Sequence, residues 1–170
     1  MATTTTRYRS MLALIMMFMV CAISVNAAEF RDFPSEPPLR GTAIAPKINT
    51  PKASTYYGQL KSQSKKGPNF NGHYRLVSWG CGTSCLAWAV VDLSNGNVWI
   101  APVNYCASPR MDKEGMPIWI ESRIDSSLVC LYECQMSEAT SCPEDRPNRR
   151  HSYVWSRGRM KSLGVECVPD

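Results

Sequence analysis

The apolar positions of this chain fall in short runs of aromatic and branched residues. Tyr74 to Trp79 is one such run, and Leu86 to Leu93 (LAWAVVDL) is a second, more apolar one. Val98 to Ile100, Ile118 to Ile120, Ser127 to Tyr132, Ser152 to Trp155 and Met160 to Leu163 continue the series. Short runs of this kind, punctuated by Gly, Pro, Asn and Ser, predict β-strands. Ser94-Asn95-Gly96-Asn97 and Ser156-Arg157-Gly158-Arg159 each join two runs and predict hairpins, because Asn and Gly accept the positive φ of a tight turn. One stretch has helical period instead: Ala53, Tyr56, Tyr57 and Leu60 recur at i, i+3, i+4 and i+7. Thr50 can cap that helix, Pro51 suits its first position and Gly67 can end it, with Gly58 as its weak point. The pattern predicts a mainly β fold with one N-terminal helix. An antiparallel sandwich, a barrel or a propeller-like sheet would all satisfy it.

The ends of the chain read differently. Arg7 and Arg9 precede an apolar run from Met11 to Ile23, and Ser24 to Ala27 are mostly small. Charge, apolar segment and small-residue exit form the secretory pattern, here a signal peptide over residues 1–27. The apolar segment is short of the roughly 20 residues of a bilayer span. No second long apolar run follows, so no stable membrane span is expected after cleavage. Pro34, Pro37, Pro38 and Pro46 make residues 28–49 an extended N-terminal arm. Residues 50–170 are then a single β-rich domain, with 135–150 as a polar loop. The implied location is periplasmic or secreted.

Composition narrows the partners and the covalent framework. The chain has 19 basic and 14 acidic residues; two of the basic ones leave with the signal, so the mature balance is only mildly positive. Lys61, Lys65 and Lys66 crowd the last turns of the predicted helix, where the helix dipole favours cations. Without interleaved aromatics they do not describe a nucleic-acid surface. Of eight cysteines, Cys21 lies in the leader, which leaves seven: Cys81, Cys85, Cys106, Cys130, Cys134, Cys142 and Cys167. In an oxidising compartment these are candidates for disulfides, with at least one left over and the pairing open. Cys81-x3-Cys85 and Cys130-x3-Cys134 offer four thiolates at loose zinc spacing. Export favours bridges over zinc, so no metal or other cofactor is expected.

The chemistry-bearing stretch is Gly72-His73-Tyr74 followed by Trp79-Gly80-Cys81-Gly82-Thr83-Ser84-Cys85. A Cys81–Cys85 clip would hold the loop in one shape, and a preorganised loop loses less entropy on docking. The candidate binding residues are therefore His73, Trp79, Gly80, Gly82 and Thr83. The same stretch can also be a stapled strand connection. An enzyme would need a thiolate beside an imidazole, and the histidines are His73 and His151. No G-x-S-x-G, H-E-x-x-H or phosphate-loop motif is present. No catalytic residue is assigned.

The segments Gly67-Pro68-Asn69-Phe70-Asn71-Gly72-His73-Tyr74 and Trp79-Gly80-Cys81-Gly82-Thr83-x-Cys85 resemble a group of exported bacterial proteins of unassigned function. Asp125-Ser126-Ser127-Leu128 and Tyr153-Val154-Trp155 with Gly158 and Leu163 are similar to that group too. At the level of fold the layout is similar to periplasmic lysozyme inhibitors and related immunity proteins, small β domains that insert a loop into an enzyme's cleft. The resemblance implies a non-enzymatic binding protein of the cell envelope with a protein partner, in its sharpest form an inhibitor or immunity protein acting on a cell-wall enzyme. The alternative is a thiol-dependent or hydrolytic periplasmic enzyme using His73 and a cysteine of the 81–85 loop.

Overall fold

The structure, a computed structural model, describes residues 27–102, 104–134 and 141–169. The leader expected over 1–27 lies outside them except for Ala27. Among the described residues ten strands form two four-stranded antiparallel sheets and a two-stranded ribbon. In the first sheet, β1 (Tyr74–Gly82) pairs β2 (Cys85–Asp92), and β2 pairs both β3 (Val98–Ile100) and β4 (Tyr105–Cys106). The ribbon is β5 (Arg110–Met111) with β6 (Pro117–Ile118). The second sheet runs β10-β9-β8-β7, where β7 is Ile120–Ser122, β8 Leu128–Tyr132, β9 Asn148–Ser156 and β10 Arg159–Val168. Among the described residues neither sheet closes into a barrel.

The two sheets stack face to face. Leu76, Leu86, Trp88 and Val90 from the first meet Val129, Leu131, Tyr153 and Trp155 from the second. Trp88 is 1% exposed and Trp155 5%, and burying a large apolar side chain contributes about 1.5–3 kcal/mol. The other face of the first sheet carries Val77, Ala89 and Val91 against Ala53 and Leu60 of the helical segment. That is why β2 is apolar on both faces, whereas a strand with one wet face alternates.

The predicted single helix is two pieces, α1 (Pro51–Thr55) and α2 (Tyr57–Ser64). Thr50 does cap the first, its hydroxyl accepting from the Ala53 N–H at 3.1 Å. The break is at Tyr56 (φ −104°, ψ 14°), whose ring packs on Trp79 with centroids 4.7 Å apart. The polar loop expected over 135–150 also needs correcting, since Asn148 to His151 belong to β9. Their polar side chains are partnered across the ladder: Arg149 with Glu133, Arg150 with Glu166, and His151 with Glu133 and Ser162. A strand that meets charge with charge carries no apolar alternation to read.

The cysteines resolve into three bridges, Cys81–Cys85, Cys106–Cys134 and Cys142–Cys167. The first clips one hairpin, the second ties β4 of one sheet to the end of β8 in the other, and the third fixes the end of β10. Among the described residues Cys130, in the middle of β8, is the free cysteine, and it is fully buried. No helix among the described residues is long and apolar enough to cross a membrane.

The arm is laced to both sheets rather than hanging free. Ser126, fully buried, donates to the carbonyls of Phe30 and Phe33 at 2.9 and 2.7 Å. Further along, the Ile44 N–H reaches Leu93 O and the Lys47 N–H reaches Gly96 O, both at 2.8 Å.

Candidate binding groove at the clipped hairpin

The loop read as Trp79 to Cys85 is the tip of the β1–β2 hairpin. Gly82 pairs with Cys85, so Thr83 and Ser84 alone make the turn. The register shifts between Gly80 and Gly82, leaving Cys81 as an extra residue, and such a bulge bends and twists the strand. Gly82 has φ +138° and Ser84 +51°. The former is closed to most side chains, which explains the glycine. The Cys81–Cys85 bridge closes the same turn, so the tip is held both by the ladder and by a covalent clip.

Beside this tip lies an open groove of about 360 Å³, lined by Ser78, Trp79, Gly80, Gly82, Leu86 and Trp119 among others. Gly80 is its floor for a reason different from the one its sequence context suggested. Its backbone is ordinary, and a Cβ built on it meets nothing nearer than the Cys85 carbonyl oxygen at 4.0 Å. The glycine therefore leaves space rather than permitting a shape. Trp79 contributes to the lining along the strand, but its ring packs on the helix face of the sheet, tilted against Tyr56 with centroids 4.7 Å apart. Its indole N–H is buried there without a protein acceptor. Trp119, between β6 and β7, lines the groove and comes from the opposite sheet system. Sequence reasoning placed Trp119 on a strand but had no signal that it would face the β1–β2 tip.

The predicted site residues do not all meet here. Trp79, Gly80 and Gly82 line the groove, while Thr83 sits exposed on the turn and is not among its lining residues. His73 is at the other end of β1, roughly 25 Å away along the strand. There it holds the arm. Its Nδ1–H donates to Pro37 O at 2.8 Å, and Nε2 lies 3.8 Å from Glu36 and 3.7 Å from Asp92. Asn71, fully buried, accepts from the Glu36 N–H at 2.8 Å and donates to the Glu36 carboxylate at 3.2 Å. The Tyr74 hydroxyl adds a third bond to Glu36 at 3.1 Å. Burial, with Glu36 and Asp92 adding to it, pushes the Tyr74 phenol up to about 12, so it stays a donor. The Gly67–Tyr74 segment is thus a socket for the chain's own arm.

Neither Cys81 nor Cys85 offers a thiolate while bridged, and His73 is remote from both, so the two halves of the predicted Cys-His pair are not brought together. The remaining thiol, Cys130, is pushed up to about 11 by burial, against a smaller pull from Arg150 and Ser152. Thiols reacting as nucleophiles need the opposite shift. Among the described residues no group of His, Cys, Asp or Glu is placed to hold a metal ion. The chain matches no family model, no curated protein and no solved structure.

Proposed function

We propose that this chain is an exported binding protein of the cell envelope that engages a protein partner through the clipped β1–β2 tip and the groove beside it. Three disulfides support an oxidising, periplasmic or secreted location. The observation that carries the reading is the groove lined by Gly80, Leu86 and Trp119 beside the clipped tip. A tryptophan lining a concave, rigid site is of the residue type that dominates interface energies. A tip fixed by both bridge and bulge docks with little ordering cost. An inhibitor or immunity protein directed at a cell-wall enzyme is the sharpest form of the reading, because such a role needs a stiff protrusion that fits a cleft.

Filling the groove tests this. Gly80→Leu adds a side chain into open space at an ordinary backbone conformation, so the fold should survive it. The mature, oxidised protein and its Gly80→Leu and Trp119→Ala variants would be immobilised and challenged with envelope extract. In parallel each would be added to peptidoglycan-hydrolase turbidity assays. Loss of a tryptophan contact worth about 2 kcal/mol weakens binding about 30-fold. Partner capture and inhibition that are identical in wild type and both variants remove the groove from consideration.

A further inference from the structure

Across β9 and β10, at the edge of the second sheet remote from Trp119, three side chains stand in a relay. The Ser162 hydroxyl is 2.7 Å from Nε2 of His151, and Nδ1 of the same ring is 2.8 Å from Oε1 of Glu133. The order of exposure matters. Ser162 is exposed, whereas the side chains of His151 and Glu133 are 18% and 17% exposed. We propose that Ser162, His151 and Glu133 form a serine-hydrolase site, with Ser162 the nucleophile, His151 the general base and Glu133 the group that orients the imidazole. Such a constellation is recognised by geometry and roles, not by sequence position or fold.

The surroundings fix the roles. Glu133 is held below the usual carboxylate range by its hydrogen bond from His151, with Arg149 adding to it at 3.4 Å. It therefore accepts from Nδ1–H, which leaves the Nε2 lone pair towards Ser162. The ring is packed flat against Tyr153, centroids 4.1 Å apart, and the Tyr153 hydroxyl also lies 2.8 Å from Nδ1. Tyr153 is in turn 2.6 Å from the Tyr105 hydroxyl of the other sheet. Burial, reinforced by that bond, raises Tyr153 far above the usual phenol range, so it does not compete as an anion. The bulge in β10 falls on the next residue: the register passes from Ser162 to Gly164 and leaves Leu163 outside the ladder. Leu163 follows the nucleophile, so its N–H is assigned to the developing oxyanion, the role the residue after the nucleophile fills in other hydrolases.

Ser162 is exposed on β10, so the ester whose carbonyl it attacks is presented from solvent. Ser162 Oγ adds to the carbonyl carbon while its proton passes to His151 Nε2. The adduct collapses, breaking the bond to the alcohol, which leaves with that proton. Water then adds to the acyl-serine through the same exchange and releases the carboxylic acid.

The test uses the mature, oxidised chain. A fluorophosphonate probe should label Ser162, as located by peptide mapping, and p-nitrophenyl acetate should be cleaved. Ser162→Ala and His151→Asn should each lower kcat/KM at least about 100-fold, with circular dichroism confirming that both variants keep the fold. Ser156→Ala, an exposed serine on the same hairpin, should change nothing. No labelling of the folded wild type, or equal turnover in Ser162→Ala, overturns the site. The groove at Gly80 is untouched by these variants, so the binding reading stands or falls separately.

Discussion

Replacing Gly72 by alanine should unseat the N-terminal arm, and the magnitude follows from comparing it with Gly67. Both glycines have φ +78°. A left-handed alanine costs about 1–2 kcal/mol, partly offset by about 0.4–1 kcal/mol from the stiffer unfolded chain. At Gly67 nothing lies within 4 Å of an added Cβ, so the cost stops there, near 1 kcal/mol. At Gly72 the same methyl overlaps the Glu36 carbonyl oxygen and comes within 2.7 Å of the Pro37 carbonyl oxygen. Both are main-chain atoms and cannot rotate aside, so the arm must retreat. Retreat breaks the Asn71, His73 and Tyr74 bonds to Glu36 and Pro37 and leaves the buried Asn71 amide unpaired. For these four bonds at about 0.5–1.5 kcal/mol each, and about 1–3 for a stranded buried group, the total is about 3–9 kcal/mol. For a domain of this size that is a fall in Tm of about 10–30 °C. Urea and thermal unfolding of the two variants measure the difference, and trypsin cleavage at Arg40 in the folded protein reports the arm directly. Equal destabilisation of Gly67→Ala and Gly72→Ala, or an unchanged cleavage rate in Gly72→Ala, refutes the socket.

Two further outcomes follow from the cysteines. The bridges close loops of very different length, 28 residues for Cys106–Cys134 and 4 for Cys81–Cys85, so loop-closure entropy assigns them about 3.5 and 2 kcal/mol. Paired Cys→Ala variants compared by thermal unfolding should keep that order, with the shorter bridge mattering more for partner binding than for Tm. Cys130 should be silent to thiol reagents in the native state and react as one thiol per mature chain once unfolded; native reaction within minutes contradicts its burial. Its pKa is raised in the fold from 9.0 to about 11, so the folded state holds this proton where the unfolded state has lost it. The stabilisation is complete below pH 9 and disappears as pH rises towards 11, at up to about 1.4 kcal/mol per pH unit. Cys130→Ala should flatten that limb, and an unchanged alkaline slope would assign it to other groups.

The elements legible in the sequence are those whose signal is local. β2 is a continuous apolar run because both of its faces are covered. The helix start is written in Thr50 and Pro51, and the hairpin turns are written in Gly96 and Gly158. The break at Tyr56 was not legible, because it is set by the ring of Trp79 packing from another element. The first half of β9 was hidden for a related reason: Arg149, Arg150 and His151 look like loop until Glu133, Glu166 and Ser162 are seen opposite them. The relay of Ser162, His151 and Glu133 joins β10, β9 and the residue just after β8, and no spacing in the chain announces it. In the groove, Trp79, Gly80 and Gly82 were readable as a clipped glycine-rich turn, but Trp119 enters from the far sheet.

The distinctive motif of this chain divides along β1 into two parts with opposite jobs. At the strand's start, Asn69 donates to Leu76 O and accepts from the Leu76 N–H at 2.7 Å, while Asn71, Gly72, His73 and Tyr74 grip Glu36 and Pro37. That half is consumed within the molecule: its donors and acceptors are matched by the arm, and it has little left to offer a ligand. At the strand's end, Gly80 leaves a void, and the bridge removes the freedom that would let the tip collapse into it. A hydrophobic surface closes over empty space whenever its backbone can move. A groove that persists next to Leu86 and Trp119 therefore requires a stiff frame, and the Cys81–Cys85 clip supplies one. On this argument the bridge maintains an open site more than it stabilises the fold, and reduction of that bridge should erase binding at a temperature where the sandwich remains intact.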